Sequence, residues 1–240
     1  MILSATILFL TTIGGGLLVY LIKFQTEHLR LPLIFAGSYL FAITIIHILP
    51  EVFTLSEAPM RIGIWILLGF FFQQLLETFT SGVEHGHYHE GKATSQPSKL
   101  SLLIALMIHS ILEGSLLTHE SHLHDHHESH SLLLGIIFHK VPAAFALMSI
   151  IKTHTKLRPG DFFILLLFSL ASPLGLLLSH YIVSISASDL LILFALVSGS
   201  FLHISTTIFV ETSPHHNLGW KRTITSVIGA LMAIALEFLS

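Results

Sequence analysis

In the run MIHSILEGSLL, residues 107–117, His109 and Glu113 stand four positions apart in a segment otherwise as apolar as lipid. Helical geometry puts such a pair on one face, where imidazole and carboxylate can hold one cation between them. The spacing recurs at His47 and Glu51 in HILPE, and a third candidate, His139, precedes Lys140 in HKVP. A charge at the centre of a membrane helix costs ~2.5–3.5 kcal/mol, so such residues face the bundle interior and mark an ion or substrate path. Glu77, His203 and Glu211 join this set, with His203 divided evenly between ligand and structural roles. A lone membrane histidine is more often an interhelical hydrogen-bonding group. Three such residues at one depth on adjacent helices favour ligands, which selects His109, Glu113 and His139. Imidazole and carboxylate without thiolate suit zinc and other borderline divalent ions. The chain has no cysteine, which excludes disulfides and thiolate sites.

Proline accentuates these positions. Pro50 and Pro142 cannot donate to the carbonyls of Ile46 and Phe138 one turn earlier, beside His47 and His139, and Pro173 does the same to Ser169. A carbonyl freed at membrane depth needs water, a neighbouring helix or an ion. Gln73 and Gln74 read as interhelical glue, Gly14–Gly16 as a place of close helix packing, and the phenylalanines of GFFFQQ as lipid-facing bulk.

The elements that position these residues follow from composition. Of 240 residues, 52% are hydrophobic and 10% charged, against about 25% charged in a soluble domain. The chain reads as a single all-α polytopic membrane domain over 1–240, with no soluble domain and nothing suited to nucleic acid. Segments of about 20 apolar residues fall at 2–22, 32–55, 61–82, 99–118, 131–151, 161–182, 188–210 and 219–239. The first lacks a basic leader and a small-residue cleavage site, so it reads as a retained helix. With the N-terminus outside, nine of the eleven Lys and Arg face the cytoplasm and only Arg61 faces outward, which places both termini outside. The membrane is then a plasma or inner membrane, and the sequence leaves a homodimer open.

Histidine is unusually abundant at 18 residues. Two tracts are expected to be loops: a cytoplasmic one over 84–98 carrying His85, His87 and His89, and an extracytoplasmic one over 119–130 carrying His119, His122, His124, His126, His127 and His130. Such tracts bind transition metals weakly and without fixed geometry, and serve here to concentrate metal.

The ordered motifs HILPE, GFFFQQLLE, HSILEG, HKVPAAFAL and SGSFLHI resemble the ZIP (Zrt/Irt-like) family of divalent-metal transporters across essentially the whole chain. The resemblance implies eight helices in a 3+2+3 arrangement, with helices 1–3 and 6–8 as an inverted repeat. It implies His109, Glu113 and His139 as the central ligands, and elevator-like alternating access in which a five-helix transport domain slides against a smaller scaffold, carrying metal into the cytoplasm. Some members have a second adjacent metal site; its positions here are Ser110, Lys140 and Ala143. A lysine ammonium repels a nearby cation by ~4 kcal/mol per unit charge at 4 Å and an effective dielectric near 20. One metal is therefore expected, as substrate rather than cofactor: zinc first, with iron(II), manganese(II) and cadmium as alternatives. His47 and Glu51 would relay the ion from outside, and Glu77, Glu211 and the 85–89 histidines would receive it. Proton competition for the ligands should lower uptake as pH falls through the imidazole range near 6–7. Two other classes compete, a membrane-embedded zinc hydrolase and a metal-binding receptor or buffer; against the hydrolase, no H-E-x-x-H occurs.

Overall fold

In lipid a backbone must satisfy its own N–H and C=O groups, so long apolar runs become helices. The computed structural model describes residues 1–21, 30–80, 99–117, 129–152, 156–181, 187–211 and 219–239. Eight helices there are long and apolar enough to cross a membrane, and no strand occurs among the described residues. They are α1 (Ile2–Leu21), α2 (Arg30–Thr54), α3 (Pro59–Thr80), α4 (Lys99–Leu116), α5 (Ser129–Ile151), α6 (Pro159–Tyr181), α7 (Ala187–Glu211) and α8 (Trp220–Leu239). Every boundary lies within two residues of its expected place. Pro59 and Pro159 open α3 and α6, where a missing N–H costs nothing.

Proline acts differently inside the helices. α5 and α6 continue as α-helix past Pro142 and Pro173. In α2 the turn before Pro50 widens into a π turn over Thr44–Ile48, and the Leu49 N–H reaches back to the Thr44 carbonyl. The disturbance expected beside His47 thus takes the form of one extra residue in the turn that carries it.

Four extensive seams order the bundle: α3 on α7, α4 on α6, α2 on α8 and α1 on α5. Each is built on glycine. A Cβ at Gly69 would lie 1.9 Å from the Leu196 carbonyl oxygen, and one at Gly199 1.9 Å from that of Ile66. The α4–α6 crossing has the same reciprocal form, with Gly114 against the Ser172 carbonyl and Gly175 against that of Ile111, both at 2.0 Å. Gly15 meets Val141 across α1–α5, and Gly229 meets Phe35 across α2–α8. Association in lipid depends on such close backbone approach, because burial of apolar surface gives no advantage over lipid contact. Of the Gly14–Gly16 run, Gly15 and Gly16 are packed and Gly14 is open.

Lesser seams join α1 to α6, α2 to α7, α2 to α5 and α3 to α4. Along α2–α5 the buried Tyr39 hydroxyl donates to the Ser131 carbonyl at 2.9 Å, and Phe138 packs edge-on against Phe35 and Tyr39. The centre of the bundle is α5, 67% of whose spanning window is buried, against 11% for α8. At one end, Lys152 donates to the Val19 carbonyl at 2.8 Å and Lys99 to the Ile151 carbonyl at 3.2 Å, so cations close the C-termini of α1 and α5. α4 and α5 form no extensive seam with each other; what joins them is the site.

Candidate metal centre

α4 presents His109 and Glu113 on one face, one turn apart, and α5 presents His139 and Lys140 towards them. All four side chains are buried, none more than 3% exposed. Glu113 Oε1 lies 2.8 Å from His109 Nε2 and 3.9 Å from His139 Nε2. The two rings stand edge to face with centroids 5.8 Å apart. One ligand atom from each of the three residues lies within 4.8 Å of the others, and no further group of this kind occurs among the described residues. Tetrahedral zinc with bonds near 2.0–2.1 Å holds its ligands about 3.4 Å apart, so small rotations close these atoms on an ion.

The two carboxylate oxygens of Glu113 face different partners. Oε1 faces the histidines, while Oε2 accepts from Lys140 Nζ at 3.1 Å. Lys140 Nζ also donates to Ser172 Oγ, which donates in turn to the Ser110 carbonyl at 2.8 Å. Gly114 makes this possible by letting α4 and α6 touch backbone to backbone at Ser172. Ser110, Lys140 and Ala143 are all buried. They offer a hydroxyl, an ammonium already engaged, and a methyl group. The ammonium lies against the carboxylate, and no second acid stands at these three positions.

Behind His109, Gln73 of α3 closes the site. Its Oε1 lies 3.0 Å from His109 Nδ1 and accepts from Ser200 Oγ of α7 at 2.8 Å. The structure bears out the interhelical reading for Gln73 but leaves Gln74 exposed, with Phe71 and Phe72 on the lipid side.

The remaining candidates fall into two separate groups. One turn beyond Gln73 and Ser200, Glu77 of α3 pairs with His203 Nε2 of α7, whose ring packs edge-on against Phe70. Towards the other end of the bundle, His47 lies 3.7 Å from Glu51 and 2.6 Å from Glu237 of α8. The sequence reading missed Glu237, whose only signal is a lone acid near the end of the last apolar span. Glu211 ends α7, but its side chain and that of His130 are outside the described part. So are His85, His87, His89, His119, His122, His124, His126 and His127, and with them the expected loop over 84–98 and residues 119–128 of the other, whose last two residues instead begin α5.

Eight membrane-length helices around a buried His–Glu–His group define an integral membrane protein with a candidate metal site at its centre. The family model described as ZIP zinc transporter matches residues 84–239, well over half the chain. The chain belongs to the ZIP family. It is similar to "Zinc transporter ZIP9-B" of Xenopus laevis, 27% identical over 160 residues that cover 63% of this chain and 52% of that protein. "Zinc transporter ZIP9" of Micropogonias undulatus is 27% identical over 154 residues, covering 60% of this chain and 49% of that protein. "Protein zntD" of Dictyostelium discoideum is 28% identical over 146 residues, covering 56% and 21%. The chain spans about half the length of the ZIP9 relatives it matches.

Proposed function

We propose that this protein carries divalent metal ions, zinc foremost, across the membrane into the cytoplasm, one ion at a time. The observation that carries the reading is the buried group of His109, Glu113 and His139. Three protein ligands leave a coordination position open, which suits an ion that must arrive and leave. Burial at mid-membrane gives the ion a station where the lipid alone would exclude it.

The other polar groups supply a route. His47, Glu51 and Glu237 stand towards the outer end, and Glu77 with His203 one turn inward of the central site. Glu211 and the 85–89 histidines continue it to the cytoplasm, while the 119–130 tract gathers metal outside. Zinc comes first because imidazole and carboxylate suit it and because the matched relatives are named as zinc transporters; iron(II), manganese(II) and cadmium remain competitors. Both termini lie outside, in a plasma or inner membrane, and two copies can associate.

An inverted repeat is supported by the seams. Exchanging α1 with α6, α2 with α7, α3 with α8 and α4 with α5 turns α1–α5 into α6–α4 and α2–α8 into α7–α3, and each exchange reverses the direction of the span. With the lesser α1–α6 and α2–α7 seams these group α1, α4, α5 and α6 apart from α2, α3, α7 and α8, while α2–α5 and α3–α4 contacts run between the groups. An elevator-like movement of the first set past the second would carry the site across.

The test is uptake into proteoliposomes with a competing panel of divalent metals. Zinc-dependent filling that is lost in the His109→Ala/Glu113→Ala double variant is expected. Unchanged uptake by the double variant sinks the site assignment, and wild-type vesicles that take up no metal sink the transporter reading.

A further inference from the structure

Gln73 and Ser200 belong to no ligand set, yet both are buried against His109, with 0% and 2% exposure. The Gly69–Gly199 crossing of α3 and α7 brings them together, Ser200 beside Gly199 and Gln73 one turn after Gly69. We infer that Gln73, held by Ser200, is a positioning residue that fixes the tautomer of His109 and so keeps its metal-binding nitrogen bare.

The chemistry is one of donors and acceptors. A neutral imidazole has one N–H and one lone pair, and an amide oxygen can only accept. Gln73 Oε1 already accepts from Ser200 Oγ at 2.8 Å, and His109 Nδ1 approaches it at 3.0 Å. Ser200 Oγ also lies 3.4 Å from Nδ1, but its proton is engaged by Gln73, so this pattern puts the His109 proton on Nδ1 and the lone pair on Nε2. That nitrogen lies 2.8 Å from Glu113 Oε1, and neither atom has a hydrogen-bond partner. In the opposite tautomer an Nε2–H would replace the lone pair that the metal needs and would stand against Glu113 Oε1 at 2.8 Å. His109 would then have no lone pair to offer a cation at the site. The brace prevents this by giving the proton a better place on the far side of the ring. Partners of this kind orient metal-binding histidines and typically carry about 10–100-fold in metal affinity or activity.

The inference rests on the transport reading only for its kinetic arm. The direct measurement is nitrogen-15 NMR of the histidine-labelled full-length protein without metal, with His109 assigned by difference against His109→Asn. A protonated Nδ1 and a bare Nε2 are expected; the reverse tautomer overturns the inference. In proteoliposomes, Gln73→Leu should raise KM for zinc about 10–100-fold with Vmax little changed. Gln73→Glu, which keeps an acceptor at the same place, should bring KM back towards wild type, and Ser200→Ala should move it in the Gln73→Leu direction by less. A Gln73→Leu variant with wild-type KM, or a Gln73→Glu variant no better than Gln73→Leu, overturns the brace. If Gln73→Leu does not fold, Ser200→Ala and the NMR measurement decide. Wild-type vesicles that fail to transport while His109 shows the expected tautomer count against the transport reading, not against the brace.

Discussion

At the scale of the residue, Glu113 divides its work between two oxygens, one facing the histidines and one held by Lys140. That arrangement gives the single-metal expectation a physical form. The ammonium sits against the oxygen a second ion would need, and Ala143 offers no donor. Replacing the three residues together, Ser110→Asn, Lys140→Asp and Ala143→Glu, should raise bound zinc from one to two per chain, measured by elemental analysis of purified protein. A stoichiometry of one in that variant would remove Lys140 as the reason for a single metal. The triad itself was legible in the sequence, because a His and a Glu four apart in lipid-like surroundings are too costly to be incidental. The Gln73–His109 contact and the Glu237 partner of His47 were not. Both join residues on different helices, and spacing along one helix says nothing about what faces it across a crossing.

At the scale of the element, glycine sets where helices meet. A side chain at Gly69, Gly199, Gly114 or Gly175 would run into backbone, which cannot swing aside, whereas Gly63 has nothing within 4 Å. Gly199→Ala should therefore destabilise the α3–α7 seam by about 1–3 kcal/mol, as overpacking does. Gly63→Ala should be neutral or gain up to about 1 kcal/mol from helix propensity. Thermal unfolding in detergent separates the two outcomes, and equal midpoints would refute the packing account. The helices were legible almost to the residue because length and hydropathy are dictated by the bilayer. Their neighbours were not legible, since a leucine facing lipid and one facing protein are the same residue: Leu68 is 48% exposed and Leu76 is 6%. Glycine marks close crossings without naming the partner, and only the structure pairs Gly69 with Leu196 or Gly114 with Ser172.

At the scale of the whole molecule, the orientation read from the Lys and Arg distribution has a convenient test, because the chain carries no cysteine of its own. A single cysteine placed at 94 should react with a membrane-impermeant thiol reagent only from the cytoplasmic side, and one at 121 only from outside. Labelling of both from one side would overturn the topology. In the Glu113–Lys140 pair carboxylate and ammonium offset each other, and histidines bind metal as neutral imidazoles, so loading adds two positive charges to the centre. A charge crossing the membrane potential gains about 2.3 kcal/mol per 100 mV, hence about 4.6 kcal/mol for a divalent ion. On the proposed movement of the site, loaded and empty centres respond to voltage differently, and a negative interior would favour the inward step of the loaded centre. Imposing a potassium diffusion potential across proteoliposomes with zinc outside should speed uptake when the interior is negative and slow it when the sign is reversed.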